Sequence, residues 1–297
     1  MKMDHAELLS RTFDTVFPLV FIVLLGFIYA RWRATDMTIA NRINMDVFVP
    51  ALIFSVMASG SFHVTQYKGL IIAAAVIVLG SGLLAWPIAK LMGVSSKTLL
   101  PPMMFNNSGN LGIPLMVLAF GESALPIAVV LFLTENLLHF TVGMYLINPK
   151  TKLKSILTMP MVLATMLGLI FSFSESQLPV ALFVPIEMLG QVSIPLMLFA
   201  LGVRMMDVDM KNWKLGLFAG ILCPLSGLIM AIVWQMVWPV SQEHFAYLLV
   251  FACLPPAVLN YIVSELFQQE PNKVASMVLI GNLVSLVTLP CILLYVL

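Results

Sequence analysis

The residues of this chain best suited to chemistry lie in one run, Asn106 to Pro114, reading N-N-S-G-N-L-G-I-P. The run is uncharged but strongly polar, and it sits inside Leu99 to Phe120, an apolar segment long enough to cross a bilayer as a helix. Its three asparagines, two glycines and proline are poor helix-interior residues, so the helix is expected to break there. Lipid cannot satisfy freed N–H and C=O groups, so broken backbone at this depth must be buried in protein or line a wet cavity. A broken helix at the midplane points to a transport site; the alternative is a Gly/Pro kink that serves packing alone. A second candidate pair follows. Glu135 falls near the middle of another apolar span, with His139 one turn later on the same face. A charged residue at a helix centre costs about 2.5–3.5 kcal/mol on insertion scales, so Glu135 is expected to be protonated, paired or facing water. Proton uptake by Glu135 with His139 as partner or relay is the functional reading; a neutral glutamate that pins helices together is the structural one.

The elements that must position these residues are membrane spans. Of 297 residues 61% are hydrophobic and 10% charged, and the mean hydropathy is +1.02, which excludes an ordinary soluble globule. The expected fold class is all-α polytopic membrane protein with ten transmembrane helices. Five spans lie in residues 1–147: Phe13 to Ala30, Val47 to Gly60, Gly69 to Ala89, the broken Leu99 to Phe120, and Leu125 to Ile147. A polar cytoplasmic linker, 148–155, leads to five more in 156–297: Ile156 to Phe173, Val180 to Val203, Leu215 to Val237, Phe245 to Phe267 and Val274 to Leu297. The first span carries its stronger basic cluster after the apolar run, unlike a cleaved signal peptide. Twelve of the 15 Lys and Arg fall in loops after odd-numbered spans, among them Arg31, Arg33, Arg42, Lys150, Lys152, Lys154, Arg204, Lys211 and Lys214. The positive-inside rule then puts both termini outside the cell membrane. Trp32, Trp213 and Trp238 fall near span ends, as interface anchors do.

Other chemistries find little to work with. Cys223, Cys253 and Cys291 lie far apart in apolar spans and read as buried thiols. The sequence has no metal-ligand spacing, nucleotide fingerprint or nucleophile motif, so no enzyme, metal or cofactor is expected. No basic patch interleaved with aromatics suggests a nucleic-acid partner.

The two halves read as weak copies. Pro18 to Ile28 matches Pro160 to Ile170, Pro50 to Phe54 matches Pro195 to Phe199, and Asn136-Leu137 recurs as Asn282-Leu283. Leu100, Pro101 and Pro102 recur as Leu254, Pro255 and Pro256, which sets Asn106 opposite Asn260. An odd number of spans per copy inverts one copy in the membrane, so the fourth and ninth spans, broken at Asn106 to Pro114 and around Pro255 to Tyr261, are expected to cross. The half-helix after each break would aim its N-terminal dipole at the crossing, which suits a carboxylate. The expected substrate-binding residues are Asn106, Asn107, Gly109, Asn110, Gly112, Pro114, Pro255, Pro256, Asn260 and Tyr261, with backbone N–H groups and the amides of Asn107, Asn110 and Asn260 as donors. Asn106 is alternatively a helix cap. Glu187 and Gln191 either line an access route or hydrogen-bond between helices, and Asp46, Arg204 and Glu265 read as structural residues at the cytoplasmic boundary.

The pattern N-x-G-x-x-G-x-P-L at Asn107 to Leu115, with L-P-x-A at Leu254 to Ala257 followed by Ser276 and an apolar C-terminal span, resembles the auxin efflux carrier family over essentially the whole chain. The resemblance implies two inverted five-helix repeats, a scaffold of spans one, two, six and seven, elevator-like movement of the crossing helices, and a homodimer. It implies small carboxylates such as malonate or malate as substrates. The eight-residue linker departs from the long central loop of plant exporters, so auxin itself is not expected. Proton or potential coupling is the leading expectation. A sodium-coupled carrier of the bile-acid symporter type is the alternative, and a membrane ligand sensor that does not transport is the reading from another class.

Overall fold

The computed structural model describes residues 5–59, 62–150, 157–174, 178–207 and 210–297. Among them run twelve helical segments: α1 (His5–Trp32), α2 (Thr38–Met57), α3 (Val64–Met92), α4 (Ser96–Met104), α5 (Ser108–Phe120), α6 (Glu122–Ile147), α7 (Pro160–Ser174), α8 (Val180–Arg204), α9 (Trp213–Val237), α10 (Gln242–Ala252), α11 (Val258–Leu266) and α12 (Pro271–Val296). Seven of these, α1, α2, α3, α6, α8, α9 and α12, are long and apolar enough to cross a membrane. The chain is an all-helical polytopic membrane protein. The linker lysines Lys152 and Lys154 and the expected span ends Gly60 and Ile156 lie outside the described residues.

The helices pack in two groups. In the first, α1 lies along α8, and α2 packs on both α7 and α8. The α1–α8 contact is close because glycines make it so. A Cβ on Gly202 would sit 1.9 Å from the Val23 carbonyl oxygen, and one on Gly26 would sit 2.2 Å from that of Phe199. Small residues that let backbones approach are how helices associate where lipid removes the hydrophobic drive. In the second group α9 packs on α3 and α12, α3 on α4 and α6, and α11 on α12. Leu99, Phe105, Leu115, Met116, Leu131 and Phe251 are fully buried there. The first group turns Phe13, Phe17, Phe21, Ile170 and Phe173 outward, as a bilayer permits.

Two elements are interrupted, and their gaps meet. Between α4 and α5 the backbone is extended at Phe105, and between α10 and α11 it runs through Pro255 and Pro256. The two stretches pair antiparallel at Asn106 and Pro256. The Asn107 N–H donates to the Pro255 carbonyl at 2.7 Å and the Ala257 N–H to that of Phe105 at 2.9 Å. Each break thus satisfies backbone groups that the other has freed, the condition for non-helical chain inside a membrane.

The breaks are shorter than the sequence suggests. Helix resumes at Ser108, so Gly109, Asn110, Gly112 and Pro114 are helical, and it resumes at Val258, so Asn260 and Tyr261 are helical too. The physical reason is a widened turn. The N–H groups of Gly112 and Ile113 reach back five residues, to the carbonyls of Asn107 and Ser108. A wider turn ahead of Pro114 relieves the clash a proline ring makes with the carbonyl four residues back. Pro101 and Pro102 sit inside α4, whereas Pro255 and Pro256 form a break, so those two pairs are not equivalent. Asn110 and Asn260, each third in its half-helix, occupy matching places, and Asn106 faces Pro256. Of the cysteines, Cys223 and Cys253 are buried as expected, but Cys291 is exposed on the outer face of α12.

Candidate functional site

Three widened turns converge on one cavity. Besides Ser108–Gly112 in α5 they are Asn44–Phe48 in α2, just before Pro50, and His139–Gly143 in α6. In each, an N–H reaches back five residues: Val49 to Asn44, Ile113 to Ser108 and Met144 to His139. Single π-type turns of this kind recur at functional sites, because they aim side chains that a regular helix would place elsewhere.

The cavity has a volume of about 310 Å³. Its wall on one side is Asn106, Asn107, Ser108, Gly109 and Asn110 from the first break and α5, Phe132, Glu135, Asn136 and His139 from α6, and Ala257, Val258, Leu259 and Ile262 from the second break and α11. Facing these are Asn41, Asn44, Met45 and Val49 of α2 and Met197, Ala200, Leu201 and Arg204 of α8. The site therefore lies between the two helix groups. Gly109 is needed at this wall, since a Cβ there would meet the Phe132 ring at 2.7 Å.

The amides have divided labour. Asn106 Nδ2 donates to the Phe251 carbonyl at 2.7 Å, and Asn260 Nδ2 to the carbonyls of Phe105 and Ala257 at 2.8 and 3.1 Å. Asn107 Nδ2 donates to Asn282 Oδ1 at 2.9 Å, and Asn282 Nδ2 passes the chain on to the Pro256 carbonyl at 3.0 Å. A carbonyl can only accept, so these partners dictate which end of each amide is nitrogen. Asn260 spends both its amide protons holding the breaks together. Asn110, partly exposed, has its side chain in the lining and remains the amide best placed to meet a ligand.

Several buried polar atoms of the lining make no hydrogen bond within the protein: Asn44 Oδ1, Asn106 Oδ1 and His139 Nε2. Leaving a polar atom buried and unmatched costs about 1–3 kcal/mol, so these atoms call for a partner in the cavity, be it water, an ion or a ligand. The Glu135 carboxyl sits against the Ser108 side chain and the Asn106 backbone. Glu135 and His139 are each 2% exposed, and the His139 ring stacks on Phe105 with centroids 4.1 Å apart.

Of the sequence candidates, Asn106, Asn107, Gly109, Asn110, Glu135 and His139 come together in this lining. Gly112 lies under it, where a Cβ would meet Leu254 at 2.7 Å. Pro255, Pro256 and Asn260 build the paired breaks behind it. Tyr261 lines an adjoining cavity of about 340 Å³ and donates its hydroxyl to Glu265. Pro114 lies apart, in a crevice of about 510 Å³ at the other end of α5, with Glu122, Glu187 and Gln191. Asp46 is an exposed partner of Arg42, at 3.7 Å. Sequence reasoning missed Asn41, Asn44, Phe132 and, above all, Arg204, which lines the main cavity. The available signals were the two polar residues six and nine positions before Pro50 and a basic residue closing an apolar helix.

A family model described as membrane transport protein matches residues 143–293, half of the chain. The chain belongs to the auxin efflux carrier family. The family match takes in α7 to α12, and with them Arg204, both flanks of the second break, Asn260 and Asn282. An uncharacterized transporter of Methanocaldococcus jannaschii is 23% identical over 298 residues, covering 93% of this chain and 96% of its own. The family's function is membrane transport, and this chain is a membrane transporter.

Proposed function

We propose that this family member is a secondary active carrier of small organic anions, carboxylates such as malonate or malate, driven by a proton gradient or the membrane potential. The observation that carries the reading is the start of α5 at the cavity. Ser108, Gly109 and Asn110 line it, and the first-turn N–H groups of a helix have no acceptors of their own and a positive dipole behind them. In this reading α4 with α5, and α10 with α11, are the crossed fourth and ninth of ten spans. Residues 1–147 and 156–297 form inverted five-helix repeats joined by the cytoplasmic linker 148–155. The helices around the breaks move as an elevator against α1, α2, α7 and α8, whose exposed apolar faces also serve a homodimer. The protein lies in the cell membrane with both termini outside. In support of that orientation, Arg11 near the start of α1 donates to the Ala119 carbonyl at the end of α5, away from the loops rich in Lys and Arg. Glu135, beside the site, takes up the coupling proton, with His139 as its relay.

A sodium-coupled mechanism is the second reading, favoured by one feature: Asn44 Oδ1 and Asn106 Oδ1 are acceptors without donors, the chemistry a hard cation seeks. The test of the substrate site is uptake of labelled malonate, malate and lactate into proteoliposomes by wild type and Asn110→Ala. Loss of uptake in a folded Asn110→Ala protein is expected. Unchanged uptake would remove the α5 start from recognition.

A further inference from the structure

Arg204 closes α8, in the helix group opposite the breaks, and it lines both the main cavity and the adjoining one that runs out to Asp36, Met37 and Glu265. It is half-buried, and it is the one Lys or Arg in either lining among the described residues. Asp36 and Glu265 are exposed at the outer cavity, where water and salt screen them; a half-buried charge is screened less. A guanidinium stays charged at every working pH and offers a planar fork of donors that fits a carboxylate. Also lining the cavity is the first turn of α5, Ser108 to Asn110, whose N–H groups are donors.

We propose that Arg204 is a side-specific anion-holding residue. It grips the carboxylate while the site is open toward the loops of Arg33 and Arg42, and it stays behind on α8 when the helices carrying the breaks move the substrate across. The proposal rests on the carrier reading above. Its consequence is an asymmetry: one charge-assisted contact favours binding at the cytoplasmic face and is absent at the outer face. Removing such a contact costs about 10- to 100-fold in affinity.

The test is malonate, malate and lactate transport in inside-out and right-side-out vesicles by wild type, Arg204→Gln and Arg204→Lys. For Arg204→Gln the ratio of cytoplasmic to outer KM is expected to rise about 10- to 100-fold, with Arg204→Lys between it and wild type. An unchanged ratio, whether both KM values move or neither does, overturns the role of Arg204 while wild-type transport upholds the carrier. Absence of transport by wild type under every gradient overturns the carrier reading and this proposal with it. If Arg204→Gln is too unstable to assay, the ratio in Arg204→Lys decides.

Discussion

The amide chain behind the cavity makes a quantitative prediction. Asn107 and Asn282 are 3% and 4% exposed and joined by one hydrogen bond of 2.9 Å, and Asn282 alone links it to the Pro256 carbonyl. Asn107→Ala leaves Asn282 Oδ1 buried without a donor, which costs about 1–3 kcal/mol. Asn282→Ala leaves two groups stranded, Asn107 Nδ2 and the Pro256 carbonyl, so the same reckoning gives roughly 2–6 kcal/mol. The double variant loses the shared bond once, and it is more stable than the sum of the singles implies by a coupling energy of about 0.6–1.7 kcal/mol, from the average to the largest value for hydrogen bonds between membrane helices. The assay is SDS-driven unfolding of the four proteins from mixed micelles, analysed as a double-mutant cycle. Additivity within about 0.3 kcal/mol would refute the idea that this side-chain relay ties the two breaks together.

Other outcomes follow from the same geometry. Gly109→Ala, whose Cβ meets Phe132 at 2.7 Å, is expected to cost about 1–3 kcal/mol and to raise the KM for transported anion; Gly69→Ala, with nothing within 4 Å, is the contrasting control, expected to stabilise by about 0.4–1 kcal/mol in thermal unfolding. Glu135→Gln is expected to fold normally and to flatten the pH dependence of uptake; a folded variant with the wild-type pH profile would remove Glu135 from coupling. At the membrane edge, Lys273 and the Thr98 hydroxyl hold the Glu270 carboxyl below its usual range. A depressed folded pKa stabilises fully above the unfolded value of about 4.3 and is lost as pH falls through the folded value. The Tm gap between wild type and Glu270→Gln at pH 7 should therefore close as the pH drops below about 4. A gap that persists in acid would contradict the assignment.

The long spans were legible because composition alone demands them: apolar runs bounded by Arg31, Lys90 or Trp238 have few other fates in a membrane protein. The first break was legible from Asn106 and Asn107. Its far edge was misjudged, because Gly109, Gly112 and Pro114 look like breakers, yet Pro114 follows directly on a widened turn of α5 that accommodates its ring. Glu135 and His139 were legible as costly residues at membrane depth. What sequence could not give was partnership across the fold. Asn107 meets Asn282 at a separation of 175 residues, and Asn260 meets Phe105 at 155. Such contacts give Asn107 and Asn260 a part in holding the two breaks together that their places in the sequence do not show. Arg204 was passed over for the same reason, since a basic residue at a span end is usually an interface anchor, and only the position of α8 against the breaks sets it in the cavity.

The measurement that tests the central claim most directly is uptake of malonate, malate, lactate and indole-3-acetate into proteoliposomes of the purified wild-type protein, with proton and sodium gradients imposed separately. The account predicts accumulation of a small carboxylate driven by the proton gradient or the membrane potential, and none driven by sodium alone. Sodium-driven accumulation without a proton response would contradict the coupling, and binding without uptake under either gradient, beside a working control carrier, would contradict the carrier itself.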